Sequence, residues 1–322
     1  MASSKENMIP LTVLDDRDHE TQACHKSYYF LICVIICVRP TGLSLNKKME
    51  KILLVMCGAT PTKNALNFAC YLSDLTRSRL TGLFFNKEHF SQEPAVNVLS
   101  EATATGKIFI PQTIKTETIE GYMRAFEQVC ENKGIPASVK YLEDSIPENI
   151  IAESEFSDLI IADASVSGIS KTQDAPSPLL QHLLKSAQCP VLIAPSSFTP
   201  INEVVFCYDG HPSSVFAMKQ LSYLLPEFGE TKATVLQVND SDIPTVERKR
   251  IINWLSQHFE SSDIVTLKGG GEQTLFDYLL KKKSALIVMG AYGRSMVSRL
   301  FRHSYADLLI KTLPYPLFIT HH

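Results

Sequence analysis

"KILLVMCGATPTKNALNFACYLSDL" at residues 51–75 and "EVVFCYDGHPSSVFAMKQLSYLL" at residues 203–225 follow one plan. Each opens with a short unbroken apolar run, passes through a polar turn containing glycine, and continues with apolar residues at helical spacing. An unbroken apolar run suits a strand buried on both faces, and a period near 3.6 suits a helix lying against it. Two such units in one chain indicate an internal repeat.

The repeat extends in both directions. "SRLTGLFFNKE" (78–88) corresponds to "TKATVLQVNDS" (231–241), "FSDLIIADASVSG" (156–168) to "KSALIVMGAYGR" (283–294), and "CPVLIAP" (189–195) to "YPLFITH" (315–321). Amphipathic segments lie between these runs, at 62–75, 117–133, 146–155 and 178–188, then at 212–226, 244–260, 273–282 and 297–312. Strands alternating with helices form βαβ units on a parallel sheet covered on both faces. The expectation is an α/β chain of two tandem doubly wound domains, 49–197 and 201–322, each with a five-stranded parallel sheet. A segment near 87–116 lengthens the first copy after its second strand. The linker "APSSFTPIN" (194–202) is short, so the two domains are expected to pack as an intramolecular pseudo-dimer.

Residues 1–48 do not share this pattern. "SYYFLICVIICV" (27–38) is apolar but falls short of the ~20 residues of a membrane-spanning helix. The preceding region is too long and too acidic for a signal peptide. We read residues 1–48 as an extension outside the core, with a membrane-associated anchor as the alternative.

The whole chain has 322 residues, 45% of them apolar and 20% charged, which is the composition of a globular protein. A net charge of −3 gives no bulk attraction for nucleic acid or anionic membrane. The eight cysteines form no CxxC pair and no zinc spacing, and several sit in apolar runs. That usage suits a reduced, cytoplasmic protein rather than a disulfide scaffold.

In an open parallel sheet, ligands bind outside the carboxyl ends of the strands at the topological switch point. The second copy places "YDGHPSS" (208–214), "VND" (238–240) and "MGAYGR" (289–294) at such ends. Gly290 and Gly293 allow close backbone approach and unusual φ values, and their amides can form an anion-binding concavity. Arg294, Arg299 and Arg302 add positive charge, and Ser304 falls where a helix can present free N–H groups. Asp209 can accept hydrogen bonds from an amino or hydroxyl group. A G-x-x-G or an Asp-Gly turn is, by itself, a common turn. The first copy reads "CGATPT" and "ADASVSGISKTQDAPSP" at the matching places, with no G-x-x-G and no arginine, and offers no phosphate site.

Laid out in this order, the two copies resemble the universal stress protein family in its tandem form, over nearly all of 49–322. The features that carry the likeness are "EVVFCYDGHPSS", "GGGEQTLFDYLLKKKSALIVMGAYGRS" and "LLIKTLPYPLFIT". The resemblance implies the fold shared with adenine-nucleotide α-hydrolase-like proteins. In the family the last strand of each domain often mediates pairing, and "PVLIA" and "PLFIT" are apolar enough to do so. ATP-binding members carry G-x2-G-x9-G-S/T, which Gly290, Gly293 and Ser304 match, while His303 replaces the third glycine.

The resemblance implies Gly290, Gly293 and Ser304 around the phosphates, with Asp209 and Val238 near adenine and its ribose; Met289 and Arg294 complete the candidate cofactor-binding set, Arg294 offsetting phosphate charge. His303 either obstructs the cradle or donates an imidazole N–H to a phosphate oxygen. The function implied is a cytoplasmic stress-response protein that binds an adenine nucleotide, ATP, in its second copy and acts by binding rather than turnover. An interaction scaffold without nucleotide and a slow ATPase are the alternatives. The ATPase reading lacks an identifiable base or metal-binding carboxylate pair. No catalytic residue and no metal site are expected, and a homodimer is a further option for assembly.

Overall fold

The computed structural model describes residues 49–57, 63–85, 116–144, 146–163, 177–239, 241–269, 271–290 and 313–320. All belong to one compact unit, Lys47–His322. The expectations placed on residues 1–48 and on a helix at 297–312 lie outside the described residues.

The first half runs β1 (Lys51–Cys57), α1 (Lys63–Thr76), β2 (Arg79–Phe85), α2 (Thr116–Asn132), β3 (Ala137–Leu142), α3 (Ile146–Ser154), β4 (Leu159–Ala162), α4 (Pro178–Ser186) and β5 (Val191–Ile193). The second runs β6 (Glu203–Tyr208), α5 (Pro212–Leu224), a 3-10 turn (Pro226–Glu230), β7 (Lys232–Val238), α6 (Thr245–His258), β8 (Ser261–Leu267), α7 (Gly271–Leu280), β9 (Ala285–Gly290) and β10 (Leu317–Thr320). Helix boundaries fall within two residues of those read from sequence at all seven described helices.

The strands form one ten-stranded sheet in the order β3-β2-β1-β4-β5-β10-β9-β6-β7-β8. Read outward from the middle, both halves have the same order. Every pairing is parallel except β5 with β10, which meet antiparallel through Leu317 and Ile193, Phe318 and Leu192, and Ile319 and Val191. The central strands are buried along their length because helices cover both faces. The edge strands β3 and β8 are half exposed, which is why neither reads as a continuous apolar run.

One apolar layer joins α1, α2, α5 and α6 to the sheet through residues such as Phe68, Phe126, Leu221 and Leu255. The other joins α3, α4 and α7 through Ile150, Leu183 and Leu279. The crossovers on one side of each switch point thus lie on one face and those on the other side on the opposite face, as a doubly wound sheet requires. The switch points fall between β1 and β4 in the first half and between β6 and β9 in the second.

Local chemistry starts the helices where the topology needs them. Ser177 Oγ accepts from Leu180 N at 3.1 Å, and Pro178 follows at the first helical position of α4. For α5 the chain turns through Gly210 at φ +81° before Pro212. A Cβ at Gly210 would meet nothing within 4 Å, so it is the left-handed backbone, not crowding, that favours glycine there. Among the described residues no helix is long and apolar enough to cross a membrane.

Candidate nucleotide site at the second switch point

β6 ends at Tyr208, and the next three residues form the approach to α5. Asp209 is half buried, and its Oδ1 accepts from His211 N at 3.0 Å. His211 is the residue before α5, and its carbonyl accepts from Ser214 N at 3.1 Å and Ser214 Oγ at 2.7 Å. Ser213 and Ser214 are both buried. These contacts set the first turn of α5, with its partial positive charge, against the carboxyl ends of the strands.

Gly290 is the last residue of β9, paired with Thr320 of β10. Its backbone is not in the left-handed region; among the described residues the glycines with positive φ are Gly134, Gly210 and Gly269. Of the two freedoms that glycine offers there, the φ freedom is not used. Glycine is required there for a different reason. A Cβ on Gly290 would lie 2.3 Å from the Ser213 carbonyl oxygen and 2.5 Å from its carbon. The absent side chain lets the first turn of α5 rest on the end of β9.

The other expected residues divide by position. Met289 packs its side chain into the layer of α4 and α7, the face away from α5, so only its backbone is available at the strand end. Val238 closes β7 and is buried, opposite Leu267 of β8. Beyond it Asn239 N donates to Leu267 O at 3.0 Å, and Asn239 Oδ1 accepts from Ser241 N at 3.2 Å. Gly293, Arg294, His303 and Ser304 lie outside the described residues. The structure thus brings Gly290 against the α5 terminus and puts Asp209 and Val238 at the ends of the neighbouring strands β6 and β7.

Three polar groups of this region were not read from sequence. Tyr208 is buried, and its hydroxyl donates to Glu247 Oε1 in the first turn of α6. Burial above all, then the Glu247 carboxylate, pushes the phenol above its ordinary range, so it stays a donor. Gln237, which faces Tyr208 across the β6–β7 ladder, has a buried Oε1 without a hydrogen-bond partner among the described residues. The same holds for the hydroxyl of Thr320, buried beside Gly290. The tyrosine is visible in "YDG", but its partner lies 39 residues away on a helix, a distance no local pattern spans.

The first switch point has different chemistry at equivalent positions. Ile52 of β1 pairs with Leu159, and Val204 of β6 pairs with Leu286. Following that register, Cys57 stands where the second half has Asp209, and Asp163 stands where it has Gly290. A carboxylate at the end of β4 opposes an anion. Among the described residues no group of three or more His, Cys, Asp or Glu side chains is gathered so as to hold a metal ion.

No family model matches the chain, and no curated protein matches it. Solved structures do. A universal stress protein from Archaeoglobus fulgidus DSM 4304 superposes with a TM-score of 0.58 at 17% identity, over 86% of this chain and 98% of that one. The chain has the fold of a universal stress protein. A proposed universal stress protein from Pseudomonas aeruginosa UCBPP-PA14 has a TM-score of 0.54 at 17% identity, over 85% of this chain and 94% of its own. A protein of unknown function from Pseudomonas aeruginosa PAO1 has a TM-score of 0.54 at 16% identity, over 85% and 93%. At these identities the universal stress fold is what is shared, and a match of 86% cannot be confined to one half.

Proposed function

We propose that the chain is a universal stress protein of the tandem kind, cytoplasmic, which binds ATP at the second switch point and acts through binding rather than turnover. The observation that carries this reading is the seating of the α5 terminus on Gly290. It directs the start of α5, with its partial positive charge, to the crevice between β6 and β9, where open α/β sheets take ligands.

The roles of individual residues follow from their chemistry. Asp209 accepts from the hydroxyl or amino groups of adenosine, and the backbone at Val238 borders the base. The positive end of α5 and Gly290 approach the phosphates. Gly293, Arg294 and Ser304 are assigned to the phosphates by their match to the motif, and His303 stands at the position of its third glycine. The buried hydroxyl of Thr320, without a partner among the described residues, is an available donor beside Gly290. The first half, with Asp163 in the register of Gly290, takes no nucleotide.

Mass spectrometry of small molecules released from the denatured, purified protein should find an adenine nucleotide. Titration calorimetry with ATP should show one site, weakened by roughly tenfold or more in Asp209→Ala, as for loss of a hydrogen bond to a charged group. His303→Gly tightens binding if the imidazole obstructs and weakens it if the imidazole donates. Absence of both released nucleotide and ATP heat, in the native chain and in His303→Gly, would replace this reading with the scaffold.

A further inference from the structure

Strand β8 is one end of the ten-stranded sheet, so among the described residues one of its two rows of backbone groups has no strand beside it. Its register on β7 decides which row that is. Asn239 N donates to Leu267 O at 3.0 Å, so the backbone of Leu267 faces β7. With a period of two, so do the backbones of Val265, Asp263 and Ser261. The N–H and C=O groups of Ser262, Ile264 and Thr266 therefore point off the sheet. In the middle of this strand stands Asp263, a residue type that strands disfavour. It is exposed, and its Oδ1 accepts from Ile264 N at 2.8 Å. An added strand would need a carbonyl oxygen about 2.9 Å from that same N–H. The Asp263 carboxylate already holds that place.

We propose that the β8 edge is a self-association surface, fitted to the β8 of a second copy of this chain, and that Asp263 keeps it closed. The occupant follows from the strand's own order. The outward residues are centred on Ile264, and so is the whole strand, Ser261–Leu267. Turned about a two-fold axis through Ile264, β8 pairs antiparallel with itself and leaves no overhang. Ile264 then faces Ile264, Ser262 faces Thr266, and Asp263 faces Val265. Every outward residue falls in a hydrogen-bonded pair. A contact of this symmetry is complete at two copies. The chain already joins two parallel half-sheets by one antiparallel pair, β5 with β10, and β8 with β8 would repeat that junction.

In that register the block lies on the axis. Each Ile264 N–H must donate to the Ile264 carbonyl of the other copy, and each is already taken by Asp263. Pairing would also set the two Asp263 carboxylates diagonally on one face, each opposite an apolar Val265 and partly out of water. Like charge and lost hydration both oppose it. Charged residues on an edge strand are a general means of keeping sheets from adding to one another. Here a single carboxylate acts through both its charge and its hydrogen bond.

Sedimentation velocity of the full chain and of Asp263→Ala, over a wide range of concentration, tests this. Asp263→Ala removes the acceptor and the charge together, and should reach twice the mass of the native particle where the native chain does not change. Adding Thr266→Pro removes one outward N–H and leaves the β7 ladder intact, so it should return the double variant to the native mass. Asp263→Ala at the native mass throughout, or association that survives Thr266→Pro, would overturn the proposal. Hydrogen exchange of the native chain reads the same edge with no variant. The amides of Ser262 and Thr266 should exchange roughly tenfold or more faster than those of Asp263 and Val265, which lie in the β7 ladder. Equal protection of the two rows would show an edge already paired, and Asp263 would then not close it.

Discussion

The carboxyl ends of the two half-sheets share a topology and differ in chemistry at two equivalent positions. At the end of β1 and just past β4 the first half carries Cys57 and Asp163; the second carries Asp209 and Gly290 in the same register. In the second half the missing side chain of Gly290 is filled by the Ser213 backbone, so the α5 terminus comes down on the sheet. In the first, a carboxylate occupies that register. The fold sets where a site can be, and single residues decide whether an anion is welcome there.

The largest effect should come from giving the second half a side chain. Gly290→Ala places a methyl group 2.3 Å from the Ser213 carbonyl oxygen, against backbone rather than a movable side-chain tip. We expect a loss of about 3 kcal/mol or more in urea unfolding. Asp163→Ala in the first half should cost well under half of that. Equal losses would show that the two ends are packed alike and would break the comparison.

A second contrast concerns the bases of the half-sheets. Lys51, first residue of β1, pairs with Glu153 at 3.0 Å, and Glu153 also binds Lys140. Glu203, first residue of β6, pairs with Lys282 at 2.9 Å and accepts from Thr234 Oγ1 at 2.7 Å. The equivalent strand position therefore carries opposite charge in the two halves. The Lys140 bond foremost, joined by Lys51 against burial, holds the Glu153 carboxyl below its ordinary value. That contribution is complete above the ordinary value of about 4.5 and is lost as pH falls through the folded value. Burial works against the charge on Lys282, but the Glu203 and Tyr278 hydrogen bonds outweigh it and raise the ammonium above its ordinary 10.5. Its contribution is complete below that value and is lost as pH rises through the folded one.

Glu153→Gln and Glu203→Gln should each cost about 1–2 kcal/mol at neutral pH, since both pairs are partly shielded from solvent. The stability gap to the native chain should close for Glu153→Gln as pH falls through the folded value of Glu153, and should narrow for Glu203→Gln in alkali as the Lys282 ammonium loses its proton. Chemical denaturation across pH measures both. A Glu203→Gln gap that stays unchanged in alkali would show that the Lys282 pair contributes nothing.

The smallest effect tests the polar contact that the second half has added. Tyr208→Phe removes the hydroxyl from Glu247 and leaves the ring's burial intact, and should cost about 1 kcal/mol. Met56 stands at the equivalent place in β1 with an apolar side chain, so Met56→Leu should be near neutral. A Tyr208→Phe chain as stable as the native one would mean that the Glu247 contact contributes nothing.

The repeat alone carried most of the architecture. The unbroken runs at 51–57, 203–208 and 285–290 can be buried only in a sheet covered on both faces, and their alternation with helical patterns makes that sheet parallel. β3 and β8 were not legible as runs because edge strands are wetted on one side and mix polar with apolar residues. Asp209, Val238 and Gly290 were legible as strand-end residues, since the order of elements fixes which ends face a switch point.

What the sequence could not contain is the contact across space. That Gly290 is glycine for the sake of Ser213 and that Tyr208 reaches Glu247 both depend on how far each helix settles onto the sheet. Periodicity determines which face of a helix is buried. Only close packing among residues distant in the chain determines which atoms on that face touch, because that outcome is set by the summed volumes of side chains from several elements at once.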